Sequence, residues 1–215
     1  MWEKLRAIAE RLSAYLLAVA MLTACSQEDE LSSLQASAEA GDSMAQYNLA
    51  WHYLDGDEVP RNEAIAEQWF ERSAAQGVGM SKYELGRLHK QRLTEAEQRA
   101  ALKWFEAAHA DGISDARDEL AAMLASSPNP TLHDGPRAVA LIESEIHDAA
   151  RASPTQFETL AAAYARAGRF AEAIGAQRHA LERLGCDCKK KADVSIPTLK
   201  LAAYERGEAW VDNPP

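Results

Sequence analysis

Between Gly41 and Gly77 the apolar and small residues recur at helical spacing in two blocks. Leu49, Ala50 and Tyr53 fall on one face of a first segment. Ala66, Trp69, Phe70 and Ser73 follow at intervals of three and four in a second. Gly56 stands where the first segment must stop, and Pro60 fits the entry to the next. The pattern predicts two helices joined by a turn, with small residues at 50 and 66 allowing close approach. It then returns. Tyr47, Leu49 and Ala50 reappear 36 residues later as Tyr83, Leu85 and Gly86, and Trp69-Phe70 reappears after 35 as Trp104-Phe105. Gly77 returns as Gly112. A period of this size means one helical hairpin per unit, stacked on its neighbours because a lone hairpin cannot bury its apolar face.

The second unit runs from Val78 to Gly112, with Thr94 and Glu97 placed as a capping box for its second helix. A third, fainter unit spans 113–152. It keeps Ala116 and Leu120-Ala121, then a long Pro-containing turn from Ser126 to Pro136 and a helix from Arg137 to Ala149. The fourth begins at Pro154, and Leu199 to Trp210 is expected to supply a short capping helix with a Tyr204-x-x-Gly207-x-x-Trp210 ending. No stretch of alternating β-branched residues reads as a strand, so the fold class is all-α.

Composition narrows the function. A 215-residue chain with 47% hydrophobic content, much of it alanine, can hold a well-buried helical domain. Its net charge of −10 repels phosphate backbones, which argues against nucleic acid as a partner.

Lys4, Arg6 and Arg11 precede an apolar run from Leu12 to Ala24, 13 residues long. A spanning helix needs about 20, so residues 1–24 read as a secretory signal. The run ends Leu22-Thr23-Ala24-Cys25, which resembles the bacterial lipobox. That resemblance implies acylation of Cys25, palmitate among the attached chains, and a membrane-anchored, periplasm-facing lipoprotein. Ser26 resembles the residue choice that sends such proteins to the outer membrane. Residues 25–33, polar and acidic after the Cys, are expected to form a solvated tether.

Gly41-Asp42, Ala45 to Leu49, Tyr53, Gly56, Val59-Pro60, Ala66, Trp69-Phe70, Ala74-Ala75 and Gly77 together resemble the Sel-one-like repeat, a subclass of the tetratricopeptide superfamily. Two such repeats cover 34–112. Phe157, Leu160, Ala161, Tyr164, Gly168, Phe170, Ala173 and Ala180 place a standard tetratricopeptide repeat and cap in 153–215, with Gln177 where an aromatic is usual. The resemblance implies a right-handed superhelical solenoid that binds a protein or peptide. It also implies a concave ligand groove lined by first helices. Carried onto this chain, the groove positions are Tyr47, Trp51 and Asp55, then Tyr83, Arg87 and Lys90, then Asp118, then Glu158 and Arg166. Of these, Trp51 and Arg87 are the residues most expected to contact ligand, whereas Tyr47 and Tyr83 are as readily read as packing between hairpins.

Little else in the sequence points to chemistry. The six histidines never take ligand spacing, and no nucleotide or nucleophile motif is present, so no metal, cofactor or enzymatic activity is expected. The alternative is an envelope redox or cell-wall-modifying protein working through Cys186-Asp187-Cys188. A bridge across one residue would be strained and reducible.

Overall fold

A computed structural model describes residues 30–143, 146, 152–184 and 196–212. The signal segment, Cys25, the Cys186/Cys188 loop and most of 144–151 lie outside the described residues. Every regular element among those described is helical: α1 (residues 30–39), α2 (Ser43–Asp55), α3 (Glu63–Ala75), α4 (Gly79–Gln91) and α5 (Glu95–Ala110). They continue with α6 (Ser114–Ser126), a short 3-10 turn (Pro130–Leu132), α7 (Gly135–Glu143), α8 (Pro154–Arg166), α9 (Phe170–Arg183) and α10 (Ile196–Glu205). The chain divides into two compact units, Met1–Ser81 and Lys82–Pro215.

In the first unit α2 and α3 form the hairpin that the spacing predicts. Asp42 caps α2 by accepting from the amides of Met44 and Ala45 at 2.9 and 2.8 Å. Gly56 ends the helix at φ +77°, a backbone that favours glycine. Pro60 lies outside α3, whose cap is Asn62, accepting from Ile65 N at 3.1 Å. Ala50 and Ala66 are fully buried, as close helix approach requires. Buried polar groups are tied across the helices: Gln46 donates to the Ala38 carbonyl at 3.0 Å and accepts from Gln76 at 2.8 Å. Ser73 donates to the Ser43 carbonyl at 2.8 Å and accepts from Ser81 at 2.7 Å.

The expected tether is shorter than 25–33, because residues 30–33 belong to α1. Leu31 and Leu34, three apart, share a helical face that packs on the cluster of Ala38, Ala45 and Leu49. Acidic composition did not outweigh that face.

The second unit holds one continuous core running through Phe105, Leu120, Leu124, Ile142, Leu160, Tyr164 and Tyr204. Gly86 lets α4 and α5 touch: a Cβ there would stand 2.6 Å from the Phe105 ring. Thr94 caps α5 through the Glu97 amide at 3.3 Å. The Glu97 carboxylate turns instead to His89 and to Arg92, the latter at 3.7 Å, so the capping function falls to Thr94. The reciprocal box occurs at α8, between Ser153 and Gln156. Gly135 opens α7 where a Cβ would meet the backbone of Arg166 and Ala167 at 2.5 Å. Gln177, fully buried at the position where the resemblance expects an aromatic, donates to the Pro197 carbonyl at 3.1 Å and fastens α10 to α9.

A candidate peptide-binding cleft

In the second unit the first helices of successive hairpins, α4, α6 and α8, enclose a cleft of about 360 Å³. Tyr83 and Lys90, seven residues apart, face it from α4. Asp115, Asp118, Glu119 and Ala122 follow at positions i, i+3, i+4 and i+7 of one helical stripe on α6. Thr155, Gln156 and Thr159 complete it from α8, with Ser153 at that helix's cap.

The electrostatics are acidic. Lys90 is paired with Glu119 at 2.6 Å, and three carboxylates stand against this one lysine. Burial pushes the Asp118 carboxyl above its usual range, against the opposing pull of Arg117 at 3.3 Å and of Gln156, which donates to it at 3.4 Å. Tyr83 packs its ring on Phe105, centroids 5.9 Å apart, and the Arg87 guanidinium lies over the Tyr83 ring at 5.9 Å. Burial, then the charge of Glu119, raises the Tyr83 hydroxyl, so it stays a hydrogen-bond donor at neutral pH.

Of the nine groove residues expected from sequence, Tyr83, Lys90 and Asp118 come together in this cleft. Arg87 stands beside it, paired with Glu84 at 3.0 Å. Trp51 and Asp55 line a separate cavity of about 390 Å³ in the first unit, with Leu34, Asn48, His52 and Asp57. There Tyr47 and Trp51 both pack on the fully buried Phe70, at centroid distances of 5.8 and 5.9 Å. Trp51 is therefore part of the hairpin's aromatic packing as well as a cavity wall.

Glu158 and Arg166 are engaged within the chain. Glu158 accepts from Lys200 of α10 at 3.0 Å, and Arg166 donates to the carbonyls of Ala125 and Trp210 at 2.9 and 3.0 Å. The cleft residues that the sequence reading passed over had a signal. Asp115 to Ala122 form a stripe, and Thr155 and Thr159 are one turn apart on α8.

Glu84 supplies a pH test. It is 4% exposed, and burial raises its carboxyl above the ordinary value of 4.5, opposed by Arg87. A raised carboxyl favours the protonated form in the folded chain. Its contribution is full below the unfolded pKa and is lost as pH rises through the folded one. Glu84→Gln should thus leave stability unchanged near pH 4 and raise it at pH 7. Urea midpoints at the two pH values check this; a variant less stable at pH 7 would mean that the Arg87 pair outweighs the burial.

Among the described residues no group of three histidine, cysteine or acidic side chains could hold a metal ion. Comparison with known proteins speaks to the repeats. The family model of the Sel1 repeat matches residues 43–78 and 79–112. The solved Sel1 repeat protein from Oxalobacter formigenes shares the fold at 21% identity and a TM-score of 0.53, over 80% of this chain and 76% of that one. The solved c5321, a protective antigen present in uropathogenic Escherichia coli strains and displaying an SLR fold, aligns at 24% identity and a TM-score of 0.56. That alignment covers 84% of this chain and 37% of that one. No curated protein matches the chain. With two matched Sel1 repeats and helical hairpins that continue beyond them to Arg183, the chain is an all-α helical-repeat protein that carries Sel1 repeats over residues 43–112.

Proposed function

We propose that the chain is a membrane-anchored scaffold that binds a segment of another protein in the α4/α6/α8 cleft, at the cell envelope. The observation that carries this reading is the cleft itself: equivalent helices of three successive hairpins present an aromatic ring, hydroxyls and carboxylates to one open space. Such a lining suits the main-chain and polar side-chain contacts of a peptide segment. Three carboxylates against one lysine disfavour phosphate, in keeping with the chain's acidic balance. Sel1 repeats supply a scaffold suited to protein–protein interaction rather than a catalytic centre. Among the described residues no helix is long and apolar enough to cross a membrane. Attachment is assigned to acyl chains on Cys25 on the strength of the lipobox-like Leu22-Thr23-Ala24-Cys25, and such chains contribute about 0.8 kcal/mol per buried CH₂.

A photo-crosslinker at Thr159 should capture a protein partner in envelope membranes, and one at Arg99 on the exposed side of α5 should not. Thr159→Arg, which fills the cleft, should reduce capture by a crosslinker at Tyr83 at least tenfold with helicity unchanged. Equal capture from Thr159 and Arg99 would remove the cleft from the binding surface. For the anchor, Cys25→Ala should leave an uncleaved precursor. Wild-type protein recovered in the soluble fraction without detergent would refute acylation.

A further inference from the structure

After α10 the chain runs without helix from Arg206 to Asp212 and lies against the ends of α6 and α8. Asp212 is tied to Ser126 twice. Its amide donates to the Ser126 carbonyl at 2.9 Å, and its Oδ2 accepts from Ser126 Oγ at 2.6 Å. Ser126 is 5% exposed, so this is a built contact and not a surface encounter. Arg166 holds the Trp210 carbonyl through Nη2 while its Nε holds the Ala125 carbonyl. The indole of Trp210 donates to Asp212 Oδ1 at 3.1 Å and packs on the core of the unit.

These are the contacts that a groove makes to a peptide. A main-chain carbonyl and a main-chain amide are gripped, one acidic side chain is read by a buried hydroxyl, and one aromatic fills apolar space. Arg166 is also the residue that the repeat register assigns to ligand. We propose that Ser126 and Arg166 form a clamp for a partner-protein segment carrying an aromatic-x-aspartate sequence, and that Trp210-Val211-Asp212 occupies this clamp until such a segment displaces it.

The clamp adjoins the cleft already described. Lys90 and Ala122 line that cleft and also a second cavity of about 210 Å³ that reaches Asp212. In naming the partner's chemistry, the inference rests on the scaffold reading above. Because the tail is tethered, it competes at an effective concentration that a free segment must exceed. The Tyr204 hydroxyl fits an exchangeable arrangement. It is buried, finds no hydrogen-bond partner, and is raised by burial and by the nearby charge of Asp212.

The test uses a fluorescein-labelled peptide with the sequence of residues 205–212 and the full chain. Trp210→Ala with Asp212→Lys should vacate the clamp, and by fluorescence anisotropy this chain should bind the peptide at least tenfold tighter than wild type. A peptide whose aspartate is replaced by lysine should lose at least tenfold. Equal affinity for both chains, or indifference to the aspartate, overturns the proposal. Wild type that elutes as a dimer, where the released chain does not, overturns the partner assignment in favour of tail exchange between copies. If the double change lowers helicity, hydrogen exchange on wild type decides. Excess peptide should speed exchange of amides 208–212, and unchanged exchange overturns the clamp. Crosslinking from Thr159 reads the cleft independently, so the scaffold reading and the clamp fail separately.

Discussion

Replacing Gly135 with alanine is expected to destabilise the second unit by about 3 kcal/mol or more, beyond the ordinary range for overpacking. The added Cβ would meet Arg166 C and Ala167 N at 2.5 Å. Real Cβ contacts are longer, so an atom must move, and both obstructing atoms are backbone. Relief would require α7 to lift from the end of α8. Tyr164, one turn earlier on α8, donates to Glu143 at the end of α7 at 2.9 Å, and Val139 and Ile142 of α7 are buried in the same core. Lifting would disturb all of these. Urea unfolding with an unchanged slope and a lowered midpoint is the expected result. A loss below about 1 kcal/mol would mean that the two helix ends part easily.

The second large effect is expected at Phe70, where truncation to alanine should cost about 3–5 kcal/mol. Phe70 is fully buried, and Tyr47 packs on it at 5.8 Å and Trp51 at 5.9 Å, the latter edge-on at 87°. Those two rings also meet one another at 6.5 Å. Removing the shared partner leaves both of them facing a void, which adds a cavity term to the lost transfer energy. Thermal or urea midpoints of Phe70→Ala and Trp51→Ala, measured together, test this packing. Trp51→Ala should also lose stability, by less than Phe70→Ala because Trp51 is half-buried. If Trp51→Ala leaves the midpoint where it was, the ring serves its cavity and not the hairpin.

These two sites mark what the sequence could and could not reveal. The hairpins were legible because their determinants are local: an apolar pair such as Trp104-Phe105, a turn glycine such as Gly56, and small residues opposite one another, all within one period. Trp51 was harder. It sits on the first-helix stripe that the repeat register assigns to ligand, but Phe70, 19 residues on, turns toward it. Glu158 and Arg166 illustrate the same problem at longer range, since their partners are 42 and 44 residues away in the cap and in the segment after it. Periodicity places a residue on a face; it does not tell what later part of the chain will cover that face. The cleft stripe on α6 was different. Its i, i+3, i+4, i+7 spacing was visible, but polar residues at that spacing are also what a solvated face looks like, and only the approach of α4 and α8 distinguishes them.

The tie between Ser126 and Asp212 spans 86 residues, whereas cross-helix ties such as Lys82 to Asp111 span 29. Loop-closure entropy grows slowly with length, so the longer closure costs only about 1 kcal/mol more. Order of synthesis separates them more sharply. Chains emerge from the amino terminus, and local hairpins can close as they appear. In an exported chain that crosses the membrane amino terminus first, Ser126 and Arg166 emerge before residues 210–212. During that interval a segment from another protein meets both residues without an intramolecular rival, and afterwards it does not. A partner made or encountered at the same time as this chain would engage more readily than one met once the chain is complete.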